Sequence, residues 1–153
     1  MAVNLPDLLD PEQVALELTA LTMEEALSQL VGLLHRNRQI EDKESFLAAV
    51  IKRERARSTV AGHGIAFPHA RTDLVKNIVL GIGRSNPGVS FDDSGNLVHL
   101  IFLIGVPQQM VQDYLVCIGT LARVVNDDAV RSKLLSARTP AEFVEHLRHA
   151  SVI

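Results

Sequence analysis

The chain has no tryptophan, one tyrosine, one cysteine and no surplus of positive charge. Aromatic residues make up only 4% of the sequence, so the core has to be built from Leu, Ile, Val and Ala. A lone thiol, Cys117, has no internal disulfide partner and fits a reducing compartment; within its apolar helical pattern it reads as a core side chain rather than a nucleophile. The formal net charge of -3 argues against a nucleic-acid binder held by phosphate contacts and leaves small anions or proteins as partners. Long apolar runs are missing as well. The longest, Leu100 to Val106, is far too short to span a bilayer, and Met1 to Pro6 has neither the basic region nor the apolar run of a signal peptide. The expectation is a cytoplasmic protein without membrane insertion.

What is present reads as one domain over residues 1–153. With 47% hydrophobic and 22% charged residues, the chain can bury a core without disulfide or metal staples. Residues 1–13, with Pro6 and Pro11, show no period and are expected to form an irregular lead-in or a short helix at most. Val14, Leu16 and Leu18 alternate with smaller or polar neighbours, the pattern of a half-buried strand. Thr22 and Glu25 form a capping-box pattern for a helix ending near Asn37, with Leu27, Leu30, Val31 and Leu34 on one face. A second helix is expected from Glu41 or Asp42, burying Phe46, Leu47, Val50 and Ile51 and ending in Lys52-Arg53-Glu54-Arg55-Ala56-Arg57. Farther on, Asn77 to Arg84 reads as a strand, Asn86 to Asn96 as a loop, and Val98 to Val106 as a central strand closed by Pro107. Helical spacing from Gln109 to Val125 puts Leu115, Ile118, Leu121, Ala122 and Val125 in a core stripe. Asn126 is expected to cap a short helix over Asp127 to Ser136, and Thr139-Pro140-Ala141-Glu142 starts a last helix through Phe143, Val144 and Leu147. This order of strands and helices predicts an α/β fold, a sheet covered by helices on both faces.

Chemistry concentrates between Ser58 and Arg71. Gly62 and Gly64 bend the backbone and let it approach a ligand, and Pro68 fixes the approach to His69, presenting an imidazole at a strand end. Arg53 and Arg57 lie on one helical face leading into this turn, where at least one can reach an anion held at His69; Arg55 reads only as a cation complementing the helix dipole. Guanidinium donors suit a phosphoryl group, and the hydroxyls of Ser58 and Thr59 add neutral ones. Among six histidines, only His146 and His149 have a usable metal-ligand spacing, near the C-terminus where solvated histidines are common; His63 and His69 match no ligand pattern, so no metal site is expected. His35 reads as a helix-end residue. His99 interrupts an apolar strand, either as a satisfied core histidine or facing whatever lies beside the sheet. A hydrolase using Ser58 and His69 lacks a nucleophile elbow and an orienting acid. A nucleophilic histidine needs less: one neutral ring nitrogen attacks phosphorus, the other donates a hydrogen bond that fixes the tautomer, and a few donors hold the oxygens.

Arg53-Glu54, then Ser58-Thr59, Gly62 and Gly64-Ile65-Ala66-Phe67-Pro68-His69, together resemble the signature of the fructose and mannitol type enzyme IIA (PTS EIIA type 2) of the bacterial sugar phosphotransferase system, a signature shared by its nitrogen-regulatory branch. The likeness follows element order from about residue 10 to about residue 148. It implies a mixed β-sheet between helical layers and no cofactor. It further implies that His69 accepts a phosphoryl group from the phosphocarrier protein HPr or its regulatory paralogue, with Arg53 steadying that group. His69 then passes it to an enzyme IIB or carries it as a signal to a regulated target. The family commonly has a second histidine at the start of the helix after the apolar strand. Here that place reads Asp113-Tyr114-Leu115, so Tyr114 stands where the second histidine would, keeping a hydroxyl and losing the imidazole. Tyr114 is expected either to contact His69 or merely to pack at the helix start. With no transporter segment or enzyme IIB domain attached, the regulatory side is favoured. The two functions in view are a phosphohistidine carrier and, as the alternative, a catalytically silent EIIA-like regulatory, protein-binding module.

Overall fold

Apolar residues at a period of two and at the helical period sort the chain into alternating layers. In a computed structural model, residues 3–152 are described; Met1, Ala2 and Ile153, which the expected 1–153 domain includes, lie outside the described residues. In chain order the elements are β1 (Val14–Ala15), α1 (Met23–Arg36), α2 (Lys43–Ala56), β2 (Val60–Ala61), β3 (Ile65–Ala66), β4 (His69–Arg71), β5 (Val79–Ser90), β6 (Leu97–Val106), α3 (Val111–Asn126), α4 (Asp128–Ser136) and α5 (Pro140–Ser151). Short 3₁₀ turns at Leu5–Leu8 and Pro11–Gln13 make up the lead-in.

The strands form one mixed sheet in the order β1-β5-β6-β3-β2, with β4 also paired to β6. β5 and β6 are antiparallel, whereas β3 and β4 run parallel to β6 at successive positions along it. Along β6, Leu100, Phe102 and Ile104 pack with Leu121, Phe143 and Leu147 of the α3–α5 layer. Ile101 and Leu103 pack with Leu27, Leu30 and Phe46 of the α1–α2 layer. A strand buried on both faces needs apolar side chains at successive positions, which is why this stretch is the most apolar in the sequence. At Gly105 an added Cβ would lie 2.9 Å from Val79 and 3.0 Å from the Phe46 ring, so the missing side chain lets α2 lie close to the sheet.

The helix starts follow the sequence signals. Thr22 Oγ1 accepts the Glu25 N–H at 3.3 Å and donates to Glu25 Oε1 at 2.9 Å, and Thr139 Oγ1 accepts the Glu142 N–H at 3.0 Å. Four local expectations change. The strand expected through Leu18 is only Val14–Ala15, although the Leu18 N–H still bonds to the Arg84 carbonyl at 2.9 Å. The strand expected to stop at Arg84 runs on to Ser90 through an irregularity between Arg84 and Val89 that absorbs Pro87 and Gly88, narrowing the loop to 91–96. On α3 the buried stripe is Cys117, Leu121, Val124 and Val125, and Leu115 is 54% exposed with Ala122 also at the surface. Asn126 is the last residue of α3, and Asp127 caps α4 by accepting the Val130 N–H at 3.1 Å.

Candidate functional site

The end of α2 is locked by its own side chains. Arg53 Nη1 donates to the Arg57 carbonyl at 2.8 Å, closing the last turn and fixing the guanidinium. Glu54, 5% exposed, accepts the Thr59 N–H at 2.8 Å and the Thr59 hydroxyl at 2.7 Å, clamping the outgoing chain to the helix. The chain then makes a small hairpin, β2 antiparallel to β3, across Gly62-His63-Gly64, where His63 and Gly64 have φ of 66° and 70°. An added Cβ at Gly64 would lie 3.2 Å from the Leu97 carbonyl oxygen, so the positive φ and the close approach together favour glycine.

The two residues before His69 are pinned. Phe67 stacks on Phe102 with ring centroids 5.7 Å apart, and the Pro68 carbonyl accepts the Ile104 N–H at 2.9 Å. His69 follows as the first residue of β4, half-buried, with Nδ1 3.1 Å from the Phe67 carbonyl oxygen. A carbonyl oxygen only accepts, so this bond puts the proton on Nδ1 and leaves the lone pair on Nε2.

His69 opens into a depression of about 400 Å³ with Arg53 from α2, Arg71 from β4 and Tyr114 from α3. Val106, Val111, Ala49 and Ala70 complete its walls. The site thus lies at the sheet edge where both helical layers meet. The Tyr114 ring is tilted 36° to the His69 ring at a centroid distance of 5.5 Å, so the two side chains are in contact. Burial raises the Tyr114 pKa above its ordinary value, with the Arg53 guanidinium pulling the other way; the phenol is protonated at neutral pH and can donate. The lining has two guanidinium groups and no carboxylate, a set whose charge suits an anion.

Ser58, Thr59 and Arg57 are not part of this lining. Ser58 Oγ accepts the Val60 N–H at 3.1 Å, Thr59 gives its hydroxyl to Glu54, and Arg57 is an exposed helix-end residue whose carbonyl serves Arg53. Arg55 pairs with Glu24 at 2.9 Å, away from His69. His99 is half-buried, with Nδ1 2.9 Å from the Ser85 carbonyl oxygen. Two contributors had no assigned role in the sequence reading, Glu54 and Arg71. For Arg71 a signal existed: residues two apart on a strand share a face, and Arg71 follows His69 by two. Nothing local marks Glu54 as buried.

Comparison with known proteins extends the likeness beyond the motif. The family profile described as the phosphoenolpyruvate-dependent sugar phosphotransferase system, EIIA 2, matches residues 7–150. The PTS system fructose-specific EIIA component of Haloferax volcanii is 33% identical over 129 residues, covering 84% of each chain. The PTS system fructose-specific EIIABC component of Bacillus subtilis is 26% identical over 144 residues, 94% of this chain, which spans 23% of that longer protein. Nitrogen regulatory protein IIA-Ntr from Neisseria meningitidis has the same fold, with a TM-score of 0.85 at 24% identity over 93% of this chain and 97% of the other. Because the profile spans every element that builds the His69 depression, from the clamped end of α2 through the glycine turn and β4 to the start of α3, the chain belongs to the EIIA 2 family of the sugar phosphotransferase system.

Proposed function

We propose that the chain is a phosphohistidine carrier of the phosphoenolpyruvate-dependent phosphotransferase system, with His69 as the phosphoryl acceptor. The observation that carries this reading is the Nδ1 bond to the Phe67 carbonyl, which leaves the Nε2 lone pair available on a residue lining the same depression as the Arg53 guanidinium. In uptake, Nε2 attacks phosphorus and forms the N–P bond as the donor's own bond to phosphorus breaks, its electron pair staying with the donor. Nδ1 keeps its proton, so the phosphorylated ring carries positive charge and the N–P bond remains labile. Onward transfer breaks that bond and returns the pair to Nε2. Arg53 offsets charge on the phosphoryl oxygens throughout, and the Tyr114 hydroxyl donates to one of them. Glu54, Thr59 and Ser58 act one step back, holding the chain between α2 and β2, and Arg57 acts through its carbonyl on Arg53.

The donor in this reading is HPr or its regulatory paralogue, and the acceptor is an enzyme IIB or a regulated target. The Bacillus relative, whose name joins A, B and C parts in one component, supports the enzyme IIB side. One EIIA domain over residues 1–153, acting in the cytoplasm, completes the proposal; no helix among the described residues is long and apolar enough to cross a membrane. A second reading, the catalytically silent binding module, is favoured by Tyr114 standing where the family commonly has a histidine. Incubation with phosphoenolpyruvate, enzyme I and HPr separates the two. The carrier yields an acid-labile phosphate that is absent from His69→Ala, whereas an unlabelled wild type with cognate partners contradicts the carrier and favours the silent module.

A further inference from the structure

Side chains two apart on a strand point to the same side, with their Cα atoms about 6.6 Å apart. In β4 the middle residue, Ala70, packs in the core with α1 and α2, and His69 and Arg71 flank it on the strand. Arg71 is exposed, yet it lines the same depression as His69. Some arginines are engaged elsewhere: Arg84 bonds to the carbonyls of Leu16, Leu134 and Ala137, and Arg55 and Arg148 pair with glutamates; of the arginines, Arg53 and Arg71 are the two that line this depression. Among the described residues no salt bridge holds Arg71, and no carboxylate lines the depression to neutralise it. Arg53 already gives Nη1 to the Arg57 carbonyl. A guanidinium grips two oxygens of a phosphoryl group through its planar fork; even with the neutral Tyr114 hydroxyl on the third, one arginine leaves part of the dianion's charge unmatched.

We infer that Arg71 is a second phosphoryl-binding residue, holding the oxygens of the group on His69 from the strand while Arg53 holds them from the helix. The inference rests on the carrier reading of His69 and deepens it. It assigns charge compensation to two cations from separate elements, so the site matches a dianion rather than a monoanion. Arg71 bears on the phosphoryl group itself and not on the partner protein's surface, which sets the form of the test.

Wild type, Arg71→Gln, Arg71→Lys and Arg53→Gln are phosphorylated with phosphoramidate, a small donor with no protein surface. Its P–N bond breaks with loss of ammonia as the N–P bond to Nε2 forms, and the product is followed by ³¹P NMR. At saturating donor, Arg71→Gln labels about tenfold more slowly than wild type, less than the roughly 10²-fold loss typical of a buried oxyanion donor because Arg71 is exposed. Its phosphohistidine resonance is shifted, and Arg71→Lys recovers part of the rate by restoring charge without the fork. A rate and resonance in Arg71→Gln equal to wild type overturn the inference, as does an effect seen only in KM for phospho-HPr with labelling by phosphoramidate unchanged. Labelling of wild type by phosphoramidate but not by phospho-HPr contradicts the carrier reading, and Arg71 is then judged by the same rate comparison. Failure to label His69 from either donor overturns both.

Discussion

Tyr114 meets His69 ring to ring, and burial raises its hydroxyl's pKa above the ordinary value. Losing the hydroxyl while keeping the ring isolates its part: Tyr114→Phe is expected to fold normally and to take up phosphate about five- to tenfold more slowly, the loss expected of one partly exposed hydrogen bond to a charged group. Tyr114→His restores an imidazole at that place and is expected to raise the transfer rate from phospho-HPr; an unchanged rate in a rapid-quench measurement means Tyr114 is not what limits transfer. Cys117 gives a residue-scale prediction about pH. It is 3% exposed, and burial, then Asp113 and Asp7, push its thiol from an ordinary 9 up to about 11. The folded chain therefore holds this proton more tightly than the unfolded chain. Its contribution to stability is complete below pH 9 and is lost as pH rises toward 11. Urea midpoints measured at about pH 8 and about pH 10.5 should fall further for wild type than for Cys117→Ala. Equal falls would mean that the thiol does not titrate in this window.

At the scale of elements, the site depends on how α2 ends. Glu54 makes two short bonds to Thr59 across the helix terminus from a buried position. Glu54→Ala removes both and leaves the Thr59 donors without their acceptor; it is expected to lower stability by about 2–3 kcal/mol, with Glu54→Gln losing less. Chemical denaturation checks both, and a loss below about 0.5 kcal/mol for Glu54→Ala would show that the clamp does not hold the helix end. The elements that sequence reading located correctly are those with signals inside a few residues: the Thr22 and Thr139 caps, and the apolar run that becomes β6. The misreadings have long-range causes. Pro87 and Gly88 look like a loop because the pairing of Val89 with Val98, which carries the strand past them, is invisible locally. Leu115 looks like core because an exposed leucine and a buried one are the same letter; the face of α3 that is buried depends on what lies beneath it.

Across the whole molecule, the sheet edge beside β4 is the place where residues from both helical layers converge, with Arg53 arriving from one and Tyr114 from the other. His69 could be singled out from its glycine and proline neighbours, whereas only the resemblance to the family signature favours Arg53 over Arg57. Arg71 and Glu54 could not be assigned roles so readily, since β4 has only three residues and a buried carboxylate looks like any other glutamate in a basic helix end. The central claim is that the Phe67 carbonyl sets the tautomer of His69 within this convergence, with Nδ1 donating to it and Nε2 as the reacting atom. ¹⁵N-histidine-labelled protein, phosphorylated and read by long-range ¹H–¹⁵N correlation with ³¹P coupling, tests it directly. The N–P bond is predicted at Nε2 of His69, with Nδ1 remaining the donor to Phe67; phosphate on Nδ1, or on any other residue, would contradict the account.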